Sequence, residues 1–188
     1  MTRKPAITPS VPALECSPRC ASGISSSTTT YIIAPAAKLS NQGISGWRLD
    51  VIDELPASFS QAFYKELKAT DPDAVMIGEV WEDATTKFSY GTRRRYLLGV
   101  QLDSVMNYPF AEAVTDFARN GVAESFESSV MTIIENYPKE ALDVLMNHIG
   151  THDTERAITK IAGEKSDYRD RQWQSEHSLS DEEYKRGV

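Results

Sequence analysis

The stretch ISGWRLDVI, residues 44–52, decides how the rest of the chain is read. It is short and rich in apolar residues, the pattern of a buried strand. Just beyond it, Pro56 stands where a first helical turn tolerates proline. Phe59, Ala62, Phe63 and Leu67 follow at spacings of three and four, which predicts one apolar helix face. Asp71-Pro72-Asp73 ends that helix. AVMIGEVW (74–81) predicts a second buried strand, and a weaker helical segment runs over 87–98. QLDSVMNY (101–108) predicts a third strand. Helical patterns cover 109–119 and 124–137, the second with Phe126, Val130, Ile133, Ile134 and Tyr137 on one side. LDVLMNHIG (142–150) predicts a fourth strand, followed by a helix over 154–162, and DEEYKRGV reads as the start of another. Strand then helix, repeated four times, predicts an α/β fold of parallel strands with helical crossovers.

The composition fits a folded domain. Of 188 residues, 40% are hydrophobic and 25% charged, so wholesale disorder is excluded. No run of about 18 apolar residues predicts a transmembrane helix. A net charge of -7 argues against broad electrostatic binding to nucleic acid or to an anionic membrane. Cys16 and Cys20 cannot build a disulfide framework, and two ligands leave a zinc site half built. Five of the nine prolines fall in residues 1–40, with an unbroken hydroxyl run from Ser25 to Thr30 and Tyr31 as the only aromatic. That segment is read as disordered, with the folded domain spanning 41–188. The amino-terminal residues lack the continuous apolar core of a signal peptide, so a cytoplasmic location is the default expectation. Oligomeric state is not legible.

In parallel α/β architectures the chemistry sits where strands end and loops begin. The first strand ends in Arg48-Leu49-Asp50, the second in Gly78-Glu79-Val80-Trp81, and the fourth in Thr151-His152-Asp153-Thr154. Three strand ends thus deliver three carboxylates. Strand alternation puts Arg48 and Asp50 on one side, where a guanidinium holds a carboxylate ionised and limits its rotation. The plainer account is that acids flank strands as solvated loop residues or helix caps. On it, Asp153 caps the helix that follows, and Arg48 with Asp50 forms a structural ion pair. Their coincidence in strand order tells against that account.

The segments GWRLDVIDEL, IGEVWEDA and MNHIGTHDTER resemble three conserved regions of the α-amylase family, family 13 of the glycoside hydrolases. NQGISGWRLDVIDELP and QLDSVMNYPF are similar to its neopullulanase, cyclomaltodextrinase and maltogenic amylase branch. The resemblance implies a (β/α)₈ barrel, of which this chain holds strands four to seven with their helices, an incomplete TIM barrel. It implies a retaining hydrolase or transglycosylase acting on α-glucosidic bonds of starch-, pullulan- or cyclodextrin-like substrates. Asp50 would be the nucleophile, Glu79 the acid that protonates the departing oxygen, and Asp153 the residue that binds sugar hydroxyls and stabilises the distorted ring. Arg48 would orient Asp50, and His152 would hydrogen-bond a hydroxyl of the same sugar. An arginine beside Asp50 and an apolar setting for Glu79, between Ile77, Val80 and Trp81, suit that division of labour. No cofactor is implied. Many members of the family use calcium, but its ligands would fall outside this segment.

Several residues keep two readings. Trp81 either stacks on a sugar face at the rim or packs beneath the loop. Glu54 and Asp53 either tune the leaving-group side, as the family does, or simply begin the next helix in solvent. His148 reads as a packed core histidine, and Arg93-Arg94-Arg95 as a solvated helix face. Two other functions compete. One is a catalytically inactive remnant with at most weak carbohydrate binding. The other is a metal-dependent barrel enzyme using Asp50, Glu79 and Asp153 as oxygen ligands, against which Arg48 counts because it already neutralises one of them.

Overall fold

The computed structural model describes residues 43–163 and 171–188. The segment 1–40, expected above to be disordered, lies outside those residues. Strand β1 (Gly46–Leu49) leads through a 3-10 turn (Ile52–Glu54) into helix α1 (Ala57–Thr70). Pro56 is the N-cap of α1, and the chain leaves the helix at Asp71, whose carboxylate accepts the Asp73 N–H. Strand β2 (Val75–Gly78) then runs parallel to β1, with Gly46 opposite Val75 and Leu49 opposite Gly78. Alternation along β1 sends Trp47 and Leu49 to the helix layer and Arg48 to the other face. Trp47 meets Phe63 of α1 edge-on at 6.0 Å. Phe63 and Leu67 are buried, and Phe59 and Ala62 flank them, as their spacing predicts. Full burial of each large apolar side chain contributes about 1.5–3 kcal/mol.

The helix expected over 87–98 does not form. Strands β3 (Phe88–Ser89) and β4 (Thr92–Arg93) make an antiparallel hairpin instead. Its turn residues Tyr90 and Gly91 both have positive φ, 52° and 73°, the backbone that matches the twist of a two-residue hairpin. The arginine run is therefore not a helix face. Arg94 is partly buried and donates to the Leu55 and Asp53 carbonyls, while Arg93 and Arg95 stay exposed.

The third strand shrinks to β5 (Ser104–Val105), parallel to β2. Asp103 shortens it. One of its oxygens accepts the Met76 N–H at 2.7 Å, and the other meets Tyr64 and Lys68. Asn107 caps helix α2 (Tyr108–Asn120) through the Phe110 N–H, and Gly121 closes it in the left-handed conformation. Helix α3 (Ala123–Asn136) packs on α2 through Phe117 and Phe126, 5.1 Å between centroids. Of its predicted apolar face, Ile133 and the following Tyr137 are buried and Phe126 and Val130 are partly buried. Ile134 is exposed, lying about 80° round the helix from Phe126, at the edge of the face that Phe126, Val130 and Ile133 share.

The fourth strand is also largely absent. Helix α4 (Lys139–Asp143) takes its first residues, and only Met146 bridges Met106 in parallel. Leu142 and Leu145 pack against the core, whereas Val144, Met146 and Ile149 are exposed, so this segment has one covered side where a central strand has two. Helix α5 (Ala157–Ala162) starts later than expected, because 151–154 form a hydroxyl-bonded turn. Helices α6 (Arg171–Glu176) and α7 (Asp181–Gly187) complete the described residues, α7 with a Ser180–Glu183 capping box. The chain is thus α/β, with parallel strands in the order β1-β2-β5. Their carboxyl ends share one edge. No helix among the described residues is long and apolar enough to cross a membrane.

Candidate active site

Arg48, on the face of β1 away from the helices, organises that edge. Its guanidinium pairs with Asp50 through Nη1 and with Glu79 through Nη2 at 3.0 Å, and its Nε points at the Met106 sulfur at 3.2 Å. The alternation read from the sequence is therefore correct, and the guanidinium reaches one strand further than expected. A planar fork bridging two carboxyl groups fixes both, which a point charge cannot do. The environments of the two acids differ. Asp50 is 45% exposed at its side chain, whereas Glu79 is 3% exposed.

Glu79 is buried among polar donors, not in the apolar setting expected of it. Its Oε2 accepts the Val51 N–H at 2.8 Å, and its Oε1 accepts the Tyr108 hydroxyl at 3.2 Å beside Arg48. Val51 reaches that position by adopting φ 44° and ψ 51°, a left-handed conformation that is a rare outlier for a β-branched residue and costs about 1–3 kcal/mol. Backbone strain at this point delivers a hydrogen bond to a buried acid.

Tyr108 is the residue that sequence reasoning missed. It stacks on Trp81 at 4.7 Å and 12°, takes the edge of the His148 ring at 4.7 Å, and donates to Glu79. Burial raises its pKa, as does the Glu79 charge, against an opposing hydrogen bond from Thr151. The hydroxyl therefore keeps its proton and remains a donor. The same Thr151 hydroxyl oxygen accepts the Asp153 N–H at 3.2 Å. Tyr108 thus links the β2 end to the loop that carries Asp153. Its place in QLDSVMNYPF was the available signal, but nothing in that string says which way the ring points.

The remaining expected residues fall into three groups. Asp153 does not cap α5, whose N-cap is Arg156. It pairs with His152 at 3.0 Å, and His152 is 71% exposed. Direct contact joins Asp50, Arg48 and Glu79, whereas Asp153 is tied to them through Thr151 and Tyr108. Trp81 is 49% exposed, with one ring face against Tyr108, and borders a cavity of about 330 Å³ with His148, Glu112, Thr154 and Lys160. It packs and lines a rim at once. Glu54 does not begin α1 but sits in the 3-10 turn and accepts the Tyr90 hydroxyl.

His148 is packed, as expected, but both ring nitrogens are buried without a hydrogen-bond partner among the described residues. Burial lowers its pKa and the charge of Lys160 adds to that, so the neutral ring is favoured. Among the described residues no group of three His, Cys, Asp or Glu side chains could hold a metal ion. Arg48 lies between Asp50 and Glu79, in the place a cation bridging them would need.

Residues 29–179 match the family described as "Alpha amylase, catalytic domain". The chain belongs to the α-amylase family. Neopullulanase 2 of Thermoactinomyces vulgaris is 38% identical over 141 residues, covering 74% of this chain and 23% of that protein. A solved cyclomaltodextrinase superposes with a TM-score of 0.62 at 35% identity, over 72% of this chain and 22% of that one. A cyclic α-maltosyl-(1→6)-maltose hydrolase from Arthrobacter globiformis gives 0.66 at 25% identity, over 76% and 31%. The chain spans 23% of the length of that neopullulanase and 21% of the length of a cyclomaltodextrinase of a Bacillus species. The α-amylase family match includes the whole Arg48–Asp50–Glu79 cluster and the Asp153 loop.

Proposed function

We propose that this chain carries the reacting pair of a retaining α-glucan hydrolase or transglycosylase, within strands four to seven of a (β/α)₈ barrel domain spanning 41–188. Asp50 attacks the anomeric carbon, and Glu79 gives its proton to the departing oxygen and later takes one from water. Asp153 and His152 bind hydroxyls of the distorted sugar, and Trp81 offers a platform beside it. The observation that carries this reading is the Arg48 guanidinium shared by Asp50 and Glu79 at the ends of adjacent parallel strands. Two carboxyl groups within reach of one guanidinium suit the separation of about 5–5.5 Å that a covalent glycosyl intermediate needs. The exposed Asp50 side chain suits the nucleophile, which must reach an incoming sugar. The relatives' names support α-glucosidic substrates of the starch, pullulan or cyclodextrin kind. An inactive remnant is the less favoured reading, since it leaves the intact Arg48 bridge without a role.

The test is turnover of an activated α-maltoside by the full chain. Asp50→Asn keeps the shape and removes the nucleophile, so activity falls by about 10³-fold or more. Full activity in that variant would remove Asp50 from the role, and a folded wild-type chain without turnover would favour the remnant.

A further inference from the structure

The segment that follows Asp50 is held from outside the sheet by the hairpin that replaced the expected helix. The Asp53 carboxylate meets Lys87 Nζ at 3.1 Å and accepts the Tyr96 hydroxyl. The Asp53 carbonyl accepts from Ser89 Oγ at 2.9 Å and from Arg94, which also donates to the Leu55 carbonyl at 3.1 Å. Glu54 accepts the Tyr90 hydroxyl. Residues 87–96 therefore place six tethers on residues 53–55, two to four positions past a valine in left-handed backbone. Several of them are shielded: Tyr96 is buried, and Lys87 and Asp53 are each less than a fifth exposed at the side chain. Lys87 is held above its ordinary pKa because the hydrogen bonds to Glu82 and Asp53, with their charges, outweigh burial, which alone would lower it. Burial and the Asp53 bond raise that of Tyr96. Both groups stay protonated as donors.

A strained residue persists only where its surroundings over-determine it. Ile52, buried against Gly78, fixes one side of the turn, the Glu54 N–H holds the Val51 carbonyl at 2.9 Å, and the bonds from residues 87–96 hold residues 53–55 beyond it. We propose that hairpin β3–β4 and the residues beside it, acting through Asp53, are the positioning device that holds Val51 left-handed and so keeps its N–H on the Glu79 carboxylate. Asp53 is then not a sugar ligand on the leaving-group side but a positioning residue that acts on Glu79 from behind. Its catalytic meaning rests on the reading of Asp50 and Glu79 as the reacting pair.

The experiment follows the Val51 amide in the full chain by nitrogen-15 NMR and hydrogen exchange, which need no activity. Glu79→Gln identifies the bond by moving the Val51 resonance. Asp53→Asn and the milder Tyr96→Phe then speed exchange at Val51 by about tenfold or more while the β2 amides Met76 and Gly78 keep their protection. If Val51 stays protected in both variants, or if Val51 and the β2 amides accelerate together, the proposal is wrong. Should Asp53→Asn fail to fold, Tyr96→Phe decides. In an active chain the same variants lower kcat and leave KM within about twofold, and an unchanged kcat overturns the proposal. If Asp50→Asn keeps full activity while Val51 loosens as stated, the clamp stands and only its catalytic meaning falls.

Discussion

Replacing Arg48 with lysine keeps the charge and removes the fork. The structure says which arm matters for what. The arm to Asp50 ends on a side chain 45% exposed, within the range of surface ion pairs worth about 0–1 kcal/mol. The arm to Glu79 ends on a carboxylate 3% exposed, where loss of the only cation in contact among the described residues is far more costly. A lysine ammonium that can serve one partner therefore stays with Glu79 and releases Asp50. Stability should fall by no more than about 1 kcal/mol, a Tm drop of about 2–4 °C for a chain of this length. Turnover should fall by about 10–100-fold, because Asp50, unrestrained, loses the orientation its proposed role requires. Arg48→Met removes both arms. Breaking a buried pair costs about 3–5 kcal/mol. Arg48 is itself 27% exposed and Glu79 keeps the Val51 and Tyr108 donors, which brings the expectation to about 2 kcal/mol and a Tm drop of about 4–8 °C. The assay pairs a thermal melt by circular dichroism with turnover of an activated α-maltoside. Equal melting temperatures for the lysine and methionine variants, or wild-type turnover by Arg48→Lys, would refute the reasoning.

Two more outcomes follow from the same geometry. His148 is held below its ordinary pKa, so the unfolded chain takes up the proton first as pH falls; wild-type stability should drop below about pH 6.5, the unperturbed histidine value, and His148→Leu should flatten that slope in melts from about pH 8 to about pH 5. The leucine also removes two buried nitrogens that have no partner among the described residues, so at neutral pH it should be neutral or stabilising, and a less stable variant with an unchanged slope would count against this account. A Cβ at Gly46 would fall on the Val75 carbonyl oxygen, which is backbone, whereas one at Gly78 would meet the tip of the Leu102 side chain at 2.5 Å. Gly46→Ala must part β1 from β2 and should cost about 2–4 kcal/mol in a urea melt, more than Gly78→Ala at about 1–3 kcal/mol; the reverse order would show that the strands, not the side chain, are what yields.

The elements that were legible in the sequence are those whose burial pattern is local. Helix α1 announces itself through Phe63 and Leu67, and β2 through a run in which every second residue is buried. The segment 87–98 misled because its few apolar residues mimic a helix. What sets its course is a turn with two positive φ values and a set of bonds to residues more than thirty positions earlier. LDVLMNHIG misled in the opposite sense: its composition suits a strand, but α4 captures its first two residues and only Met146 finds a strand partner.

By itself the sequence determined the α/β alternation, the strand ends that carry Asp50 and Glu79, and the pairing of Arg48 with Asp50, since each follows from period and adjacency along one strand. Only the tertiary structure decided that Arg48 also holds Glu79, that Glu79 is surrounded by donors, and that Tyr108 joins the site to the Asp153 loop. Those contacts join residues 28 to 43 positions apart, and a hydrogen bond between them depends on strand register and on one strained backbone angle at Val51. Neither leaves a trace in the order of residue types.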